Sequence, residues 1–540
     1  MTTHASTART CTAALLGAEA HLVEVEGHLS NGLPATILVG LPDSSRRETR
    51  DRVYAAIRNS GEQWPATKIS LGLSPASLPK QGSAHDLAIA VCVLAATGAV
   101  PAAAAGHPVL FYAELGLDGA LRPVPGALPA VMAAVADGIC TVVVAEANAA
   151  EASHVPGARV VSARSLADVV AWLRGGPEPP AQVPVPPRGI PAPLADCGDL
   201  ADVRGQDSPR LAAEIWAAGS HNLSLTGPPN PSTMLAERLP SILPDLSAEE
   251  ALEVTSVYSA AGKVPANGII TRPPFVVPHH ADTIAAVVGG GSSQGITQPG
   301  AASLAHRGVL LLADALEFRR EVLDALRGPI GAGEVVIARQ GRTTRFPARF
   351  SLVLTTPPCP CGASPSSPEQ CSCTPAARQR YLARTVGPLT DAIDLRAAMT
   401  PVPARVRRSG EPSRAVLERV VVARDRAKRR LHDTPWRLNS EVPPAEMPRL
   451  LPVTPGADEV LRDAVGIGAV SQRAALRALR VAWTIADLAG RDRPGANDCA
   501  LALAYATGDP SAGDHYYTEG HRLRRAPKRK TEGEGNEDYR

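Results

Sequence analysis

The sequence predicts a multidomain α/β protein with a helical C-terminal region. The chain has 540 residues, which is more than one hydrophobic core usually organises. Short apolar runs alternate with helical patterns up to about residue 400, and from about Ser413 the pattern is helical only. A proline-rich segment interrupts the α/β pattern, so we expect two α/β domains before the helical region.

Residues 1–174 are predicted to form the first α/β domain. Strands are expected where apolar and β-branched residues cluster, at HLVEVEG, ATILVG, KISLGLS and TVVVA. Helices are expected at SSRRETRDRVYAAIRNSG, which Gly61 closes, and at HDLAIAVCVLAATG, ALPAVMAAVADG and SLADVVAWLRGG. This alternation is typical of a sheet covered by helices.

Four further regions follow along the chain. Residues 175–198 are a predicted linker, because GPEPPAQVPVPPRGIPAP has eight prolines in eighteen residues. Residues 199–405 form a second α/β block with buried-strand candidates NLSLTG, GVLLLAD and RFSLVLTT, and parallel pairing is expected. Residues 406–508 read as a small helical lid, and residues 509–540 read as a disordered charged tail.

Composition excludes some classes of function. The net charge is +2, and the basic residues are 49 arginines and 6 lysines, so the chain has no global electrostatic drive toward nucleic acid. Any contact with DNA must therefore be local. No uncharged stretch reaches the roughly 18 to 20 apolar residues that span a bilayer. We expect a cytoplasmic protein with no membrane partner.

Four of the nine cysteines form one cluster. Cys359, Cys361, Cys371 and Cys373 have the spacing C-x-C-x9-C-x-C, which supplies four soft ligands as a tetrahedral zinc site requires. The alternative is a set of free thiols without metal, because C-x-C is less diagnostic than C-x2-C. The sequence favours zinc.

Several segments together resemble one family. They are NGLPATILVGLPDSSRRETRDRVYAAIRNSG, SLPKQGSAHDLAIAV, RPPFVVPHHADTIAAVVGGG, PGAASLAHRGVLLL, PARFSLVL, PCPCG, RQRYLARTVGPLTDAIDL and LRVAWTIADLAG. In this order they resemble the YifB/ComM family of magnesium-chelatase-like AAA+ ATPases, over roughly residues 20 to 506. The resemblance implies a Lon-like (ribosomal S5 domain 2-like) N-domain, a AAA+ P-loop NTPase-type core and a helical lid. It also implies a hexameric ring, ATP and Mg²⁺ as cofactors, and a role in DNA branch migration during transformation.

The phosphate loop that the resemblance implies is degenerate in this chain. The family motif G-P-P-G-x-G-K-T corresponds here to a stretch that is one residue shorter, made of Gly227, Pro228, Pro229, Asn230, Pro231, Ser232 and Thr233. Pro231 has no N–H for a phosphate, and Ser232 stands where the lysine would be. Only Lys263 lies between Lys80 and Lys428, so replacement by a nearby lysine is not expected.

The other catalytic positions implied by the resemblance are also changed. Ala313 replaces the aspartate that binds the metal, and Asp314 replaces the glutamate that acts on the attacking water. Pro357 stands at the sensor asparagine and Ala392 at the arginine finger. In the lid, Arg473, Arg477 and Arg480 remain, and Arg480 best matches the sensor arginine. Phosphoryl transfer depends on positioning and charge neutralisation, so most of the machinery is lost.

Three functional hypotheses follow. The leading one is a pseudo-ATPase that serves as a non-hydrolysing subunit or scaffold in DNA processing, in a homo-oligomeric ring or in a mixed ring with an active paralogue. The second is a residually active ATP-dependent DNA translocase that uses Thr233, Asp314 and Arg480. The third, a role in inserting metal into a tetrapyrrole, is implied by the name of the fold family alone.

Four weaker signals have simpler interpretations. His279 and His280 are adjacent and lack a third ligand, so a loop contact is favoured over a metal site. Gly289–Gly291 suggests a flexible pore-facing loop that could touch DNA. LPKQGSAHD resembles the nucleophile region of Lon-type peptidases, but Ala84 occupies the serine position, and Ser83 is predicted to cap a helix that begins at Ala84 or His85. The basic segment RLRRAPKRK of the tail could bind phosphates or could simply be solvated.

Overall fold

The computed structural model describes residues 7–80, 82–101, 107–179, 197–291, 297–339, 342–361, 371–384, 389–400 and 410–509. Most of the predicted linker and nearly all of the predicted tail, including RLRRAPKRK, lie outside these residues. The chain divides into two compact units. The first unit comprises residues 1–196, 244–313 and 317–351, and the second comprises residues 197–243, 314–316 and 352–540.

The described strands are numbered in chain order. They are β1 (Thr7–Leu16), β2 (Glu19–Ser30), β3 (Ala35–Val39), β4 (Lys68–Ser74), β5 (Val109–Tyr112), β6 (Glu114–Leu115), β7 (Leu121–Arg122), β8 (Thr141–Ala145), β9 (Arg159–Ala163), β10 (Leu223–Thr226), β11 (Phe275–Val276), β12 (Gly289–Gly291), β13 (Thr297–Pro299), β14 (Val309–Leu312), β15 (Glu334–Arg339), β16 (Arg342–Pro347), β17 (Ser351–Thr356) and β18 (Leu395–Ala398).

The described α-helices are numbered in the same way. They are α1 (Asp43–Asn59), α2 (Asp86–Ala96), α3 (Ala127–Ala136), α4 (Ala149–Ala152), α5 (Leu166–Leu173), α6 (Asp207–Gly219), α7 (Pro229–Arg238), α8 (Ala248–Ala260), α9 (Ile284–Val287), α10 (Ala301–Leu304), α11 (Arg320–Ala332), α12 (Pro375–Arg384), α13 (Ser413–Arg430), α14 (Met447–Leu450), α15 (Pro455–Gly466), α16 (Gln472–Leu488) and α17 (Ala496–Thr507).

A mixed seven-stranded sheet organises the first unit. Its strand order is β3-β4-β2-β1-β5-β8-β9. The β1–β2 and β2–β4 pairs are antiparallel, and the β3–β4, β1–β5, β5–β8 and β8–β9 pairs are parallel. The first unit also contains the antiparallel hairpins β12–β13 and β15–β16 and the parallel pair β11–β14.

Two apolar clusters cover the faces of this sheet. Residues of α1, α2 and α5, among them Ile57, Leu87 and Val169, pack with Val25 and Ile69 of the sheet. On the other face, residues of α3 pack with residues of β1, β5 and β8. The alternation of buried and partly buried residues along β4 explains why its sequence is recognisable as a strand.

The second unit combines parallel strands with helices. Strand β10 lies between β17 and β18, and both pairs are parallel. The predicted strands NLSLTG and RFSLVLTT are therefore confirmed as β10 and β17, and GVLLLAD is confirmed as β14 of the first unit. The helical pattern from Ser413 is confirmed as α13 to α17. The helical C-terminal region has its own apolar cluster, formed by Leu431, Val442, Met447, Leu451 and Trp483.

The fold class is thus the predicted one, an α/β protein with a parallel sheet and a helical C-terminal region. Among the described residues, none of the helices is both long and apolar enough to cross a bilayer.

Candidate nucleotide site and cysteine cluster

The junction between β10 and α7 is the predicted phosphate-loop position. Strand β10 ends at Thr226 and α7 begins at Pro229, so only Gly227 and Pro228 connect them. The N–H of Gly227 donates to the carbonyl oxygen of Thr356 at 3.1 Å. A Cβ on Gly227 would lie 2.4 Å from the Cβ of Met399, so the backbones approach closely here. This connection is too short to wrap around a phosphate.

The first turn of α7 offers few hydrogen-bond donors. Of its first three residues, Pro229, Asn230 and Pro231, only Asn230 has a backbone N–H. The Ser232 hydroxyl donates to the carbonyl oxygen of Pro228 at 2.9 Å, and the backbone N–H of Ser232 donates to the same oxygen at 3.3 Å. Ser232 is buried, with 2% of its surface exposed. Both of its donors therefore point back along the helix.

The acidic position after β14 holds one carboxylate. Ala313 has only a methyl group, and the exposed Asp314 follows it. Asp314 has a positive φ of 50°, and its N–H donates to the hydroxyl of Thr355 at 3.1 Å. A non-glycine residue at positive φ is uncommon, and this hydrogen bond helps to hold it there.

The positions predicted for the sensor and the arginine finger carry no polar side-chain atom. Pro357 comes directly after β17 and has neither an N–H nor a polar side chain. Ala392 ends a short 3-10 turn, and its carbonyl oxygen accepts a hydrogen bond of 2.8 Å from the side-chain amide of Asn222. Neither residue can stabilise negative charge on a transferring phosphoryl group through a side-chain donor.

The lid arginines have other contacts. Arg480 donates from Nε and Nη2 to the carbonyl oxygen of Val442, at 3.0 and 2.6 Å. Burial lowers the pKa of Arg480 below its ordinary value. Arg477 lies 3.7 Å from the carboxylate of Asp394, whereas Arg473 is exposed. Arg480, the predicted sensor arginine, is thus engaged within the lid.

The four clustered cysteines do come together. Their Sγ atoms all lie within 4.8 Å of one another, although residues 362–370 between the two pairs lie outside the described part. The Sγ of Cys359 is 3.4 Å from that of Cys371, and the Sγ of Cys361 is 3.6 and 3.7 Å from those of Cys359 and Cys371. These distances exceed the ~2.05 Å of a disulfide.

The cysteine geometry fits a zinc ion. With Zn–S bonds of about 2.3 Å, tetrahedral angles place the sulfurs about 3.8 Å apart. The separations of 3.4 to 3.7 Å are close to this value. Cys359 is fully buried, Cys361 is exposed and the other two are partly buried, so the cluster lies at the surface of the second unit. It can hold a metal with four thiolates.

The structure also describes the two adjacent histidines and the glycine run of the sequence. Within the described residues, no group of three or more metal-ligating side chains includes His279 or His280. The imidazole Nδ1 of His279 instead accepts the N–H of Ala281 at 3.2 Å, which is the expected loop contact. Gly289–Gly291 is not an irregular loop but strand β12, paired with β13.

The predicted helix cap at Ser83 is wrong. Helix α2 begins at Asp86, its N-cap residue is His85, and no side chain caps it. Ser83 lies too far before the helix, and its hydroxyl donates to the carboxylate of Glu114. The hydroxyl is thus taken by a charged acceptor, which makes a stronger hydrogen bond than a neutral group does.

A buried polar network that no sequence pattern predicts connects residues of the second unit. His221 and Thr484 are joined by a 2.9 Å hydrogen bond between Nε2 and Oγ1. Asn439 donates to the carboxylate of Asp487 at 2.9 Å, and Arg430 donates to that carboxylate at 2.7 and 2.8 Å. No local pattern could reveal this network, because its members are far apart in sequence and meet only in the fold.

Comparisons with known proteins cover nearly the whole chain. The profile described as magnesium chelatase, subunit ChlI, matches residues 199–406, a second ChlI profile matches residues 25–148, and a ChlI C-terminal profile matches residues 410–506. A protein of Mycobacterium tuberculosis H37Rv is 44% identical over 501 residues, which is 92% of this chain and 98% of that protein.

Two further relatives are the proteins YifB and ComM. YifB of Escherichia coli K12 is 39% identical over 482 residues, covering 88% of this chain and 92% of YifB. The competence protein ComM of Haemophilus influenzae is 38% identical over 498 residues, covering 91% of this chain and 96% of ComM. The similarity thus extends through all of the regions described above, apart from the ends of the chain.

Proposed function

The chain belongs to the YifB/ComM family of magnesium-chelatase-like proteins, and from this premise we propose that it acts in DNA processing without hydrolysing ATP. Its role is that of a non-catalytic subunit or scaffold of an oligomeric ring. DNA processing is proposed because the relatives include ComM, a competence protein.

The main support for the absence of ATP hydrolysis is the short connection between β10 and α7. A phosphate loop binds through consecutive backbone N–H groups and a lysine. Here only two residues separate Thr226 from α7, and α7 has prolines at its first and third positions. Ser232, at the lysine position, is buried and hydrogen-bonded to Pro228. These features disfavour binding of the β- and γ-phosphates.

The surrounding positions support the same conclusion. A metal-bound phosphoryl group needs carboxylate for Mg²⁺ and cationic donors for its developing charge. Ala313, Pro357 and Ala392 supply neither, and Arg480 donates to the carbonyl oxygen of Val442. Hydrolysis therefore lacks both its binding site and its charge stabilisation in this chain.

Nucleotide binding by the purified protein tests the proposal. We expect ATP with Mg²⁺ to give no significant thermal shift, whereas a ligand present at ~100 times its dissociation constant would stabilise the protein by about 2.7 kcal/mol. Isothermal titration should likewise give no saturable heat. A robust Mg²⁺-dependent shift would favour the residually active translocase instead.

Two variants make the test specific. Thr233 and Arg480 are the residues on which a residual site would depend, so Thr233→Ala and Arg480→Ala should abolish any shift that ATP binding at this junction produces. Under our proposal the wild-type protein and both variants respond to ATP identically, that is, not at all. Arg480→Ala also lowers the melting temperature, because it leaves the carbonyl of Val442 without these donors.

We also propose that the four-cysteine cluster holds one structural zinc ion. The residues fit the ion in number, chemical softness and spacing. A site with four protein ligands has no open position for a substrate, so the ion would stabilise the fold rather than take part in a reaction. Its role would be to fix the segment between β17 and α12.

A further inference from the structure

Strand β3 (Ala35–Val39) forms one edge of the seven-stranded sheet. Within the described residues it pairs with β4 on one side and with no strand on the other. An edge strand presents unpaired N–H and C=O groups, which form a template for a further strand. Natural proteins usually protect such an edge with charges, an internal proline or a bulge.

The edge at β3 has an apolar and uncharged surface. Leu33 is 88% exposed, Ile37 is 42% exposed and Val39 is 56% exposed, whereas Leu38 faces the core. The twelve residues 31–42, NGLPATILVGLP, carry no charge in a chain of which 20% is charged. The protecting features are therefore missing from the strand itself, and its prolines only flank it, at Pro34 and Pro42.

We propose that β3 pairs antiparallel with β3 of a second copy of this chain, joining two sheets about a two-fold axis. A two-fold interface uses the same surface on both copies, so the surface must complement itself. With Ile37 at the centre, Ile37 faces Ile37 of the second copy, and Ala35 faces Val39. Residues 31–42 contain no charged side chain, so like charges of the two copies do not meet within this segment.

The exposed Leu33 lies two residues before Ala35, in the bend that precedes β3. In the proposed pairing its position is diagonal to Val39 of the second copy, and diagonal neighbours are within reach of a long side chain. The flanking prolines limit the pairing to about five residues, since proline cannot donate to a ladder.

Such an interface is small. A five-residue strand pair with three apolar side chains on each copy falls below the ~1,000 Å² that stable interfaces bury, so we expect reversible, concentration-dependent association. It is independent of the nucleotide junction, which lies in the second unit. Its existence therefore does not depend on whether the chain binds ATP.

Sedimentation velocity of the full chain over a range of concentrations tests the pairing. The wild type should show a rising average mass, and Ile37→Lys should weaken the association at least about 10-fold, because two lysines then face each other at the two-fold axis. Leu117→Lys is the matched control, because Leu117 is another large exposed side chain, 58% exposed, in the turn between β6 and β7. This control should behave as the wild type.

A charge-swap experiment tests the symmetry of the pairing. An equimolar mixture of Ile37→Lys and Ile37→Glu should recover the association that each variant alone lacks, because opposite charges then face each other. Hydrogen exchange should show greater protection of residues 35–39 at high wild-type concentration. If Ile37→Lys associates as the wild type does, or if the mixture does not recover, the proposed self-pairing is wrong. Unchanged melting temperatures would confirm that both variants fold.

Discussion

Ser232 lies where the resemblance places the phosphate-binding lysine, and its surroundings explain why one substitution should not restore that role. Its hydroxyl donates to Pro228, and the residue is almost fully buried at the start of α7. A lysine needs space and a loop that leads it to the phosphates. Neither is provided by a helix that is separated from the strand by only two residues.

Ser232→Lys should therefore give no ATP hydrolysis. It should instead destabilise the protein by at least about 1 kcal/mol, because it places a charged side chain in a buried position and removes a hydrogen bond. Phosphate release and urea unfolding measure the two effects. Glu237→Lys, an exposed site on the same helix, is the control and should leave stability nearly unchanged. Hydrolysis by Ser232→Lys would contradict the conclusion that the short connection between β10 and α7 cannot hold a phosphate.

His85 is a second residue whose surroundings predict a measurable property. It is fully buried, its Nε2 has no partner among the described residues, and its Nδ1 lies 3.5 Å from the hydroxyl of Thr12. Burial, with a further contribution from the charge of Lys80, lowers the pKa of His85 to about 4. The folded state therefore keeps this imidazole neutral, whereas the unfolded chain protonates it near pH 6.5.

Acidification should reduce stability through His85. The folded-state pKa is depressed, so the unfolded state binds the proton first, and up to about 3 kcal/mol is lost as the pH falls from 6.5 to 4. Urea unfolding at pH 7 and pH 4.5 measures this loss. His85→Gln cannot titrate and should show a smaller loss over that range. Equal pH dependence in the wild type and in His85→Gln would contradict the assignment.

At the scale of elements, the sequence predicted what local patterns encode. Strand β4 and helix α1 were recognisable because their buried residues recur at the period of their own structure. Strand β1 was not recognised, because its buried residues are mainly threonine and alanine, and alanine has a low strand propensity. Its register with β2 in the hairpin establishes the strand. The hydrogen bonds from Arg480 to the carbonyl oxygen of Val442 could not be predicted either, since they depend on how the C-terminal helices pack.

The segment between β17 and α12 is the element whose order should depend on metal. We expect about one zinc per chain, and Cys359→Ser should release it, because Cys359 is the buried member of the cluster. Elemental analysis measures the zinc, and hydrogen exchange should increase in this segment but not in the seven-stranded sheet. Cys140→Ser, at an exposed cysteine outside the cluster, is the control. Absence of zinc after expression in zinc-rich medium would contradict the prediction.

At the scale of the whole molecule, segments that form packed helices and strands match the family resemblance, whereas residues at the implied nucleotide site do not. The segments AHRGVLLL and LRVAWTIADLAG lie in folded elements, β14 and α16, with buried side chains. Ala313, Pro357 and Ala392 replace polar residues of the site that the resemblance implies. Mutations that accumulate without selection would also change buried residues of the core. The contrast therefore favours a retained non-catalytic role.

Under the proposed function, a chain that does not hydrolyse ATP is suited to mixed rings. In AAA+ proteins one subunit supplies the phosphate loop and its neighbour supplies the arginine, so a chain that lacks both silences two adjacent sites. We expect it to assemble with an active paralogue and to lower that paralogue's DNA-stimulated ATP hydrolysis. Each copy that enters a ring would remove hydrolysis at two of its interfaces, so the activity should fall faster than the fraction of active subunits.

Co-expression measures this outcome directly. A tag on this chain alone should recover the untagged paralogue, and the DNA-stimulated hydrolysis of the eluate should decrease as the ratio of this chain rises. The Ile37→Lys variant should still enter the rings if ring formation does not use β3, which separates ring assembly from pairing at the sheet edge. Recovery of the tagged chain alone, with the paralogue's activity unchanged on mixing, would exclude the mixed ring and favour a separate binding module.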